Sequence, residues 1–107
     1  MAMRRTELED ELAGQLDLAG IKYTREYKAI ENRRFKWDFF FPKGERGILL
    51  EVQGAIWVKG GHSTGTGITR DAEKLNLATL AGYSSLVVTK EHIKSGQALR
   101  WVQEAMR

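Results

Sequence analysis

Two short runs constrain this chain more than anything else in it: Phe35-Lys36-Trp37-Asp38-Phe39-Phe40-Phe41 and Gly47-Ile48-Leu49-Leu50-Glu51-Val52-Gln53. Both are apolar enough to be strands inside a sheet. Each also carries a carboxylate that a buried strand should reject. Side chains alternate across a strand, so Glu51 and Gln53 share one face while Ile48, Leu50 and Val52 share the other. Taking an unpaired carboxylate out of water is costly, and a second one beside it adds repulsion. Two acids on adjacent strands therefore call for a cation between them, and a metal ion with oxygen ligands answers that need. The competing reading is a solvated sheet face on which Asp38 and Glu51 pair with Lys36, Arg46 or Arg70.

The rest of the chain supplies the frame. Thr6 and Glu9 have capping-box spacing, and Leu8, Leu12 and Leu16 recur at helical spacing, which predicts a helix over 6–19 closed by Gly20. A strand follows over 21–27, with Ile21, Tyr23, Arg25 and Tyr27 on one face, then a polar connector at 31–34. The single proline, Pro42, ends the 35–41 strand, and residues 43–47 form the turn into the next. Residues 54–68 hold five glycines and form a long loop. Helical spacing returns over 69–81 with Thr69 as its cap and Gly82 as its stop, then a β-branched strand over 84–89 and a last helix capped by Ser95. Short links make the first three strands an antiparallel meander, and the fourth, arriving through a helix, can lie parallel to one of them. The expectation is one α/β domain over 1–107. It has a mixed sheet of about four strands in the order helix-strand-strand-strand-helix-strand-helix.

Bulk properties exclude more than they assign. There is no cysteine, so disulfides and thiol chemistry are absent, and with only two histidines a structural zinc site is improbable. No apolar run approaches a membrane span, and charged residues follow Met1–Arg5 where a signal peptide needs an apolar stretch. A cytoplasmic protein is the expectation. The formal net charge of +3 is compatible with a polyanionic partner. Arg25, Lys28, Arg33, Arg34 and Lys36 precede the Asp38 strand, and Lys59, Arg70 and Lys74 follow the Glu51 strand. The glycine-rich loop is no nucleotide cradle, because Thr66 stands where a P-loop needs lysine.

Asp38, a turn, and Glu51-Val52-Gln53 together resemble the PD-(D/E)XK nuclease motif. The continuation Gln53-Gly54-Ala55-Ile56-Trp57, Gly61-His62 and Asp71-Ala72-Glu73-Lys74 is similar to the small stand-alone virus-type replication and repair nucleases (VRR-NUC) and to Holliday-junction resolvase-like enzymes. The resemblance runs from the first helix to the last. It departs at Gln53, where lysine more usually stands. It implies a restriction-endonuclease-like core and a metal-dependent endonuclease acting on branched or flapped DNA, bacterial or phage-encoded, in the cytoplasm. Mg²⁺ or Mn²⁺ would be held by Asp38, Glu51 and the Val52 carbonyl, with a first-helix glutamate, Glu11 in preference to Glu7, as a further ligand. Gln53 would orient water or a phosphate oxygen, Lys74 would supply the missing cation, and His62 would move a proton or meet the leaving oxygen. Arg33, Arg34, Lys36, Lys59 and Arg70 would contact DNA, with the glycine-rich loop closing over it. A homodimer would lengthen the basic track. The departure at Gln53 keeps open an alternative: a catalytically inactive module of the same fold that binds DNA or a repair partner.

Overall fold

Pro42 has no N–H to give a sheet, so strand β2 (Trp37–Phe41) stops there. Gly44 and Gly47, both at positive φ, turn the chain back into β3 (Ile48–Val52). The pairing Phe41↔Ile48, Phe40↔Leu49, Phe39↔Leu50 is antiparallel, and one rung further sets Asp38 beside Glu51. The structure, a computed structural model, describes residues 4–53 and 65–107. The other elements are α1 (Arg5–Leu18), β1 (Thr24–Tyr27), α2 (Gly65–Leu80), β4 (Ser84–Val88), α3 (Lys90–Ser95) and α4 (Gln97–Ala105). The sheet order is β1-β2-β3-β4, with β1, β2 and β3 antiparallel and β4 parallel to β3. That is the mixed sheet and element order expected from the chain's periodicity.

Strand alternation divides the core in two, except that β2 reverses between Phe39 and Trp37, opposite the reversal in β1. Phe39, Phe41, Ile48, Leu50, Val52 and Val88 pack against Leu8, Leu12 and Leu16 of α1, Ile93 of α3, and Ala98 and Val102 of α4. On the other face Leu49 packs with Trp37, Phe35 and Ala78 of α2. The sheet thus lies between α1, α3 and α4 on one side and α2 on the other. Glu51 and Gln53, on the Leu49 face, look toward α2, as alternation requires.

Several element boundaries differ from expectation, each for a local reason. Helix α1 starts at Arg5, and its first-turn acid is Glu7, which accepts the Arg4 N–H at 3.1 Å. Glu9 is therefore released from the capping role. Helix α2 starts at Gly65, four residues before Thr69, so the glycine-rich segment gives part of itself to the helix. The final helix is two helices. Thr89 caps α3, accepting the His92 N–H, and Gly96 at φ 84 breaks the chain before α4. In β1, Glu26 at φ 50 reverses the alternation. Arg25 lies over the Phe39 ring while Tyr27 stacks on Phe40, so the two do not share a face.

The hairpin yields a paired prediction. A Cβ on Gly47 would sit 2.4 Å from the Phe41 carbonyl oxygen, at a φ of 120° that side chains avoid, whereas one on Gly14 in α1 meets nothing within 4 Å. Gly47→Ala should cost roughly 1–3 kcal/mol, and Gly14→Ala should add roughly 0.5–1 kcal/mol. Urea unfolding of the two variants measures both. Equal stabilities would show that the turn does not hold the register.

Candidate active site

The site begins with a missing rung. Ile48 and Leu50 face β2 in register, and Val52, two residues further, would pair next with Trp37. That backbone pair is absent; instead the Val52 N–H donates to Asp38 Oδ2 at 2.7 Å. The Asp38 side chain thus takes the acceptor position that the departing strand gives up. This is why a carboxylate only 7% exposed is tolerated in an apolar strand. In a strand the N–H and C=O of one residue leave by the same edge. The Val52 carbonyl is therefore directed to the side that holds Asp38.

One cation joins the two acids. A single guanidinium nitrogen of Arg5, Nη2, lies 2.7 Å from both Asp38 carboxylate oxygens and 3.4 Å from Glu51 Oε2. Lys74 closes the other side of Glu51. Its Nζ is 3.0 Å from Glu51 Oε1 and 2.9 Å from the Lys36 carbonyl, and it stands 4.9 Å from the centre of the Trp37 ring. The acids therefore do not pair with Lys36, Arg46 or Arg70. Arg46 donates to the Ala81 carbonyl, and Arg70 lies over Phe35.

The first-helix acid that shares the Arg5 guanidinium with Asp38 and Glu51 is Glu9. Its carboxylate lies 3.4 Å from Arg5 Nε and 3.3 Å from an Arg25 nitrogen, and its side chain is 12% exposed. Glu11, two residues and about 200° further round the helix, pairs with Lys94 of α3 at 2.6 Å instead. Glu7 stays at the helix start with Arg4. The first-helix acid nearest the Asp38–Glu51 pair is therefore Glu9, held by arginines, while Glu11 is turned to α3. Three carboxylates and three cations (Arg5, Arg25 and Lys74) interleave across the ends of α1, β2 and β3.

Burial lifts the Glu51 carboxyl above the usual range, and the neighbouring Asp38 charge lifts it further against the opposing pull of the Lys74 hydrogen bond. Glu9 shifts upward for the same two reasons, burial first and Asp38 second. For Arg5, burial works to lower the affinity for its proton, but the hydrogen bond and charge of Asp38 outweigh it, and the net shift is upward. The acids are held by a cation and still repel one another.

The remaining expected residues divide cleanly. Gln53 is exposed, its N–H donates to the Val88 carbonyl at 2.8 Å, and it lines a cavity of about 220 Å³ with Glu51, Lys74 and Trp37. Ser85 in β4 lines the same cavity, and its hydroxyl is buried without a hydrogen-bond partner among the described residues. Arg33, Arg70 and Lys74 gather over the Phe35 ring, and Arg33 is tied to Glu73 of α2. Arg34 and Lys36 are exposed beside them. His62 and Lys59 lie outside the described residues, as does most of the glycine-rich segment. Sequence reasoning missed Arg5 and Glu9. In the sequence Arg5 is one of several charges near the N-terminus, and Glu9 has capping-box spacing from Thr6. The signal that could have found Glu9 is its position beside Leu8, at the edge of the buried stripe.

The chain has the fold of a solved structure, the homing endonuclease I-Bth0305I catalytic domain. The TM-score is 0.68 over 91% of this chain and 90% of that one, at 19% identity. No family model and no curated protein matches the sequence.

The raised Glu51 carboxyl gives a pH prediction. A carboxyl whose folded pKa exceeds its unfolded value favours folding when protonated. That benefit is full below the unfolded value, about 4.3, and is lost as pH rises through the folded value. Near neutrality the ionised Glu51 therefore carries a cost that Glu51→Gln removes. In chelator at pH 7, Glu51→Gln should melt above the parent protein, and the gap should narrow on acidification through the window in which Glu51 takes up its proton. A variant that melts lower at pH 7 would mean that the Lys74 and Arg5 pairs outweigh the repulsion.

Proposed function

We propose that this protein is a divalent-metal-dependent DNA endonuclease of the PD-(D/E)XK type. The observation that carries the reading is the convergence of Asp38 and Glu51 on one cation position at the frayed end of β2 and β3. The shared fold of a homing endonuclease catalytic domain supports it. Among the described residues no group of three or more His, Cys, Asp or Glu side chains is placed to hold a metal. The donor set of this reading, the Asp38 and Glu51 carboxylates with the Val52 carbonyl, is all oxygen. It suits Mg²⁺ or Mn²⁺, which commonly take one or two carboxylates and fill the rest of the shell with water and phosphate. When bound there, such an ion would polarise a phosphodiester and lower the pKa of a bound water.

The chain's own groups would do the rest. Asp38 is held rigid by the Val52 N–H, so its free lone pairs keep one direction. Lys74 brings from α2 the positive charge that Gln53 lacks, and its contact with Glu51 fixes it beside the reacting phosphate. Gln53 is free to donate to or accept from a water or phosphate oxygen. Arg33, Arg70, Arg34 and Lys36 form one basic patch around Phe35 that would follow the DNA backbone, with Lys59 extending it. Trp37 and the adjoining cavity offer an apolar wall to a sugar or base. The same motif resemblance favours a branched or flapped substrate and a two-fold dimer, which would join two short basic patches into one track. His62 would then move a proton at the leaving group. A cytoplasmic location accords with this reading.

The alternative, an inactive module of this fold that binds DNA, draws on Gln53 and on the arginine seated between the acids. One experiment separates the two. Junction, flap, duplex and single-stranded DNA are incubated with the protein and Mg²⁺ or Mn²⁺. The endonuclease should cut the branched forms first. Asp38→Asn and Glu51→Ala should abolish cutting while retaining DNA binding. Gln53→Ala should slow it by about 10–1,000-fold, and Lys74→Ala by about as much, the range for one lost transition-state donor. Metal-independent DNA binding with no cleavage of any substrate would establish the binding module.

A further inference from the structure

We propose that Arg5 is an exchangeable counter-ion. It holds the acid pair in the free protein, is displaced by the divalent ion, and then binds the phosphate of the substrate. This inference rests on the metal-dependent reading above and assigns a second state to one residue.

The geometry carries three parts of the argument. First, the guanidinium nitrogen lies where a shared cation would lie, 2.7 Å from both Asp38 oxygens and 3.4 Å from Glu51. A metal ion and the guanidinium cannot both occupy that one position between the acids, so they compete for it. Second, the arginine is not trapped. Its side chain is 46% exposed and belongs to the first residue of α1, so release needs a change of side-chain torsions and no movement of the core. Third, it has somewhere to stay. Arg5 Nε lies 3.4 Å from Glu9 Oε2, and Glu9 is itself fixed by Arg25 at 3.3 Å. When Asp38 and Glu51 turn to a metal, Glu9 keeps the guanidinium at the rim of the site. There its planar fork matches a phosphodiester, and the start of a helix also favours an anion. Glu9 then has a role without coordinating anything: it tethers the arginine.

Two measurements test this on the intact protein. Mn²⁺ binding is followed calorimetrically without DNA for the parent, Arg5→Gln and Arg5→Lys. Arg5→Gln should bind Mn²⁺ several-fold to tenfold tighter, because the competitor is gone, and Arg5→Lys should fall between. DNA binding is then followed against salt concentration, with and without Ca²⁺ as a probe ion that takes the same oxygen donors. With Ca²⁺ present, Arg5→Gln should lower the slope of log affinity against log salt by about one, the loss of one phosphate contact. Without Ca²⁺ the slope should not change, since Arg5 is then on the acids. Thermal melting of each variant confirms that it is folded. Unchanged or weaker Mn²⁺ binding by a folded Arg5→Gln would overturn the proposal, as would a slope change of equal size with and without Ca²⁺. Failure of the parent and every variant to bind Mn²⁺ would instead overturn the metal-dependent reading itself.

Discussion

The carboxylate of Asp38 stands in for a rung of the sheet, and the arrangement around it follows from that substitution. Beyond Phe39 the β2 backbone leaves β3, and the Val52 N–H is left facing an edge with no backbone acceptor. An unpaired buried N–H costs about as much as a lost hydrogen bond. Asp38 answers it at 2.7 Å, so the charge is structural before it is chemical. Once fixed there, it lies opposite Glu51, and the repulsion between them needs a cation. Arg5 meets that need from α1. Lys74 meets it from α2, so helices on both faces of the sheet are tied to the frayed end of two strands.

This explains which parts of the molecule could be foreseen from its residues. The four strands, their order and the mixed sheet depend on period-two alternation, on Pro42 and on the glycines of the turn, all of which are local. Asp38 and Glu51 stood out because a charge in an apolar strand contradicts its surroundings. Where local signals compete, the reading slips. Thr6 with Glu9 and Arg4 with Glu7 both have cap-like spacing, and only the packing of Leu8, Leu12 and Leu16 against the sheet decides the helix start. That two-residue difference in the cap hides Glu9. It also made Glu11 look like the inward acid, although Lys94, eighty-three residues later in the chain, fixes it elsewhere. Arg5 was illegible for a simpler reason: nothing near it in sequence marks a partner thirty-three residues away.

The flip at Glu26 is of the same kind. A left-handed φ at a non-glycine residue is not written in the alternation of Ile21, Tyr23, Arg25 and Tyr27. It becomes reasonable only when Tyr27 is seen stacking on Phe40 and Arg25 is seen engaged with Glu9 and Asp10. One residue of strain lets a single four-residue strand serve two clusters. Its arginine goes to the acids at α1 and its tyrosine to the core beneath α2.

On the proposed nuclease reading, Lys74 would supply from α2 the positive charge that a lysine at 53 would otherwise bring. Strand β3 presents Glu51 and Gln53 to one face, and a lysine at 53 would reach that face with a flexible, exposed stem. Lys74 reaches it from α2 with a side chain only 13% exposed, braced by the Trp37 ring, the Lys36 carbonyl and Glu51 itself. An ammonium so braced would lose less conformational freedom on binding a phosphate than one still free to rotate. It also costs the strand nothing in hydrogen bonding, because the Gln53 N–H still pairs with Val88. The exchange does depend on the position of α2. Ala78 and Leu77 of α2 pack in the cluster that holds Trp37, so the ring that braces Lys74 and the helix that carries it are positioned by the same contacts.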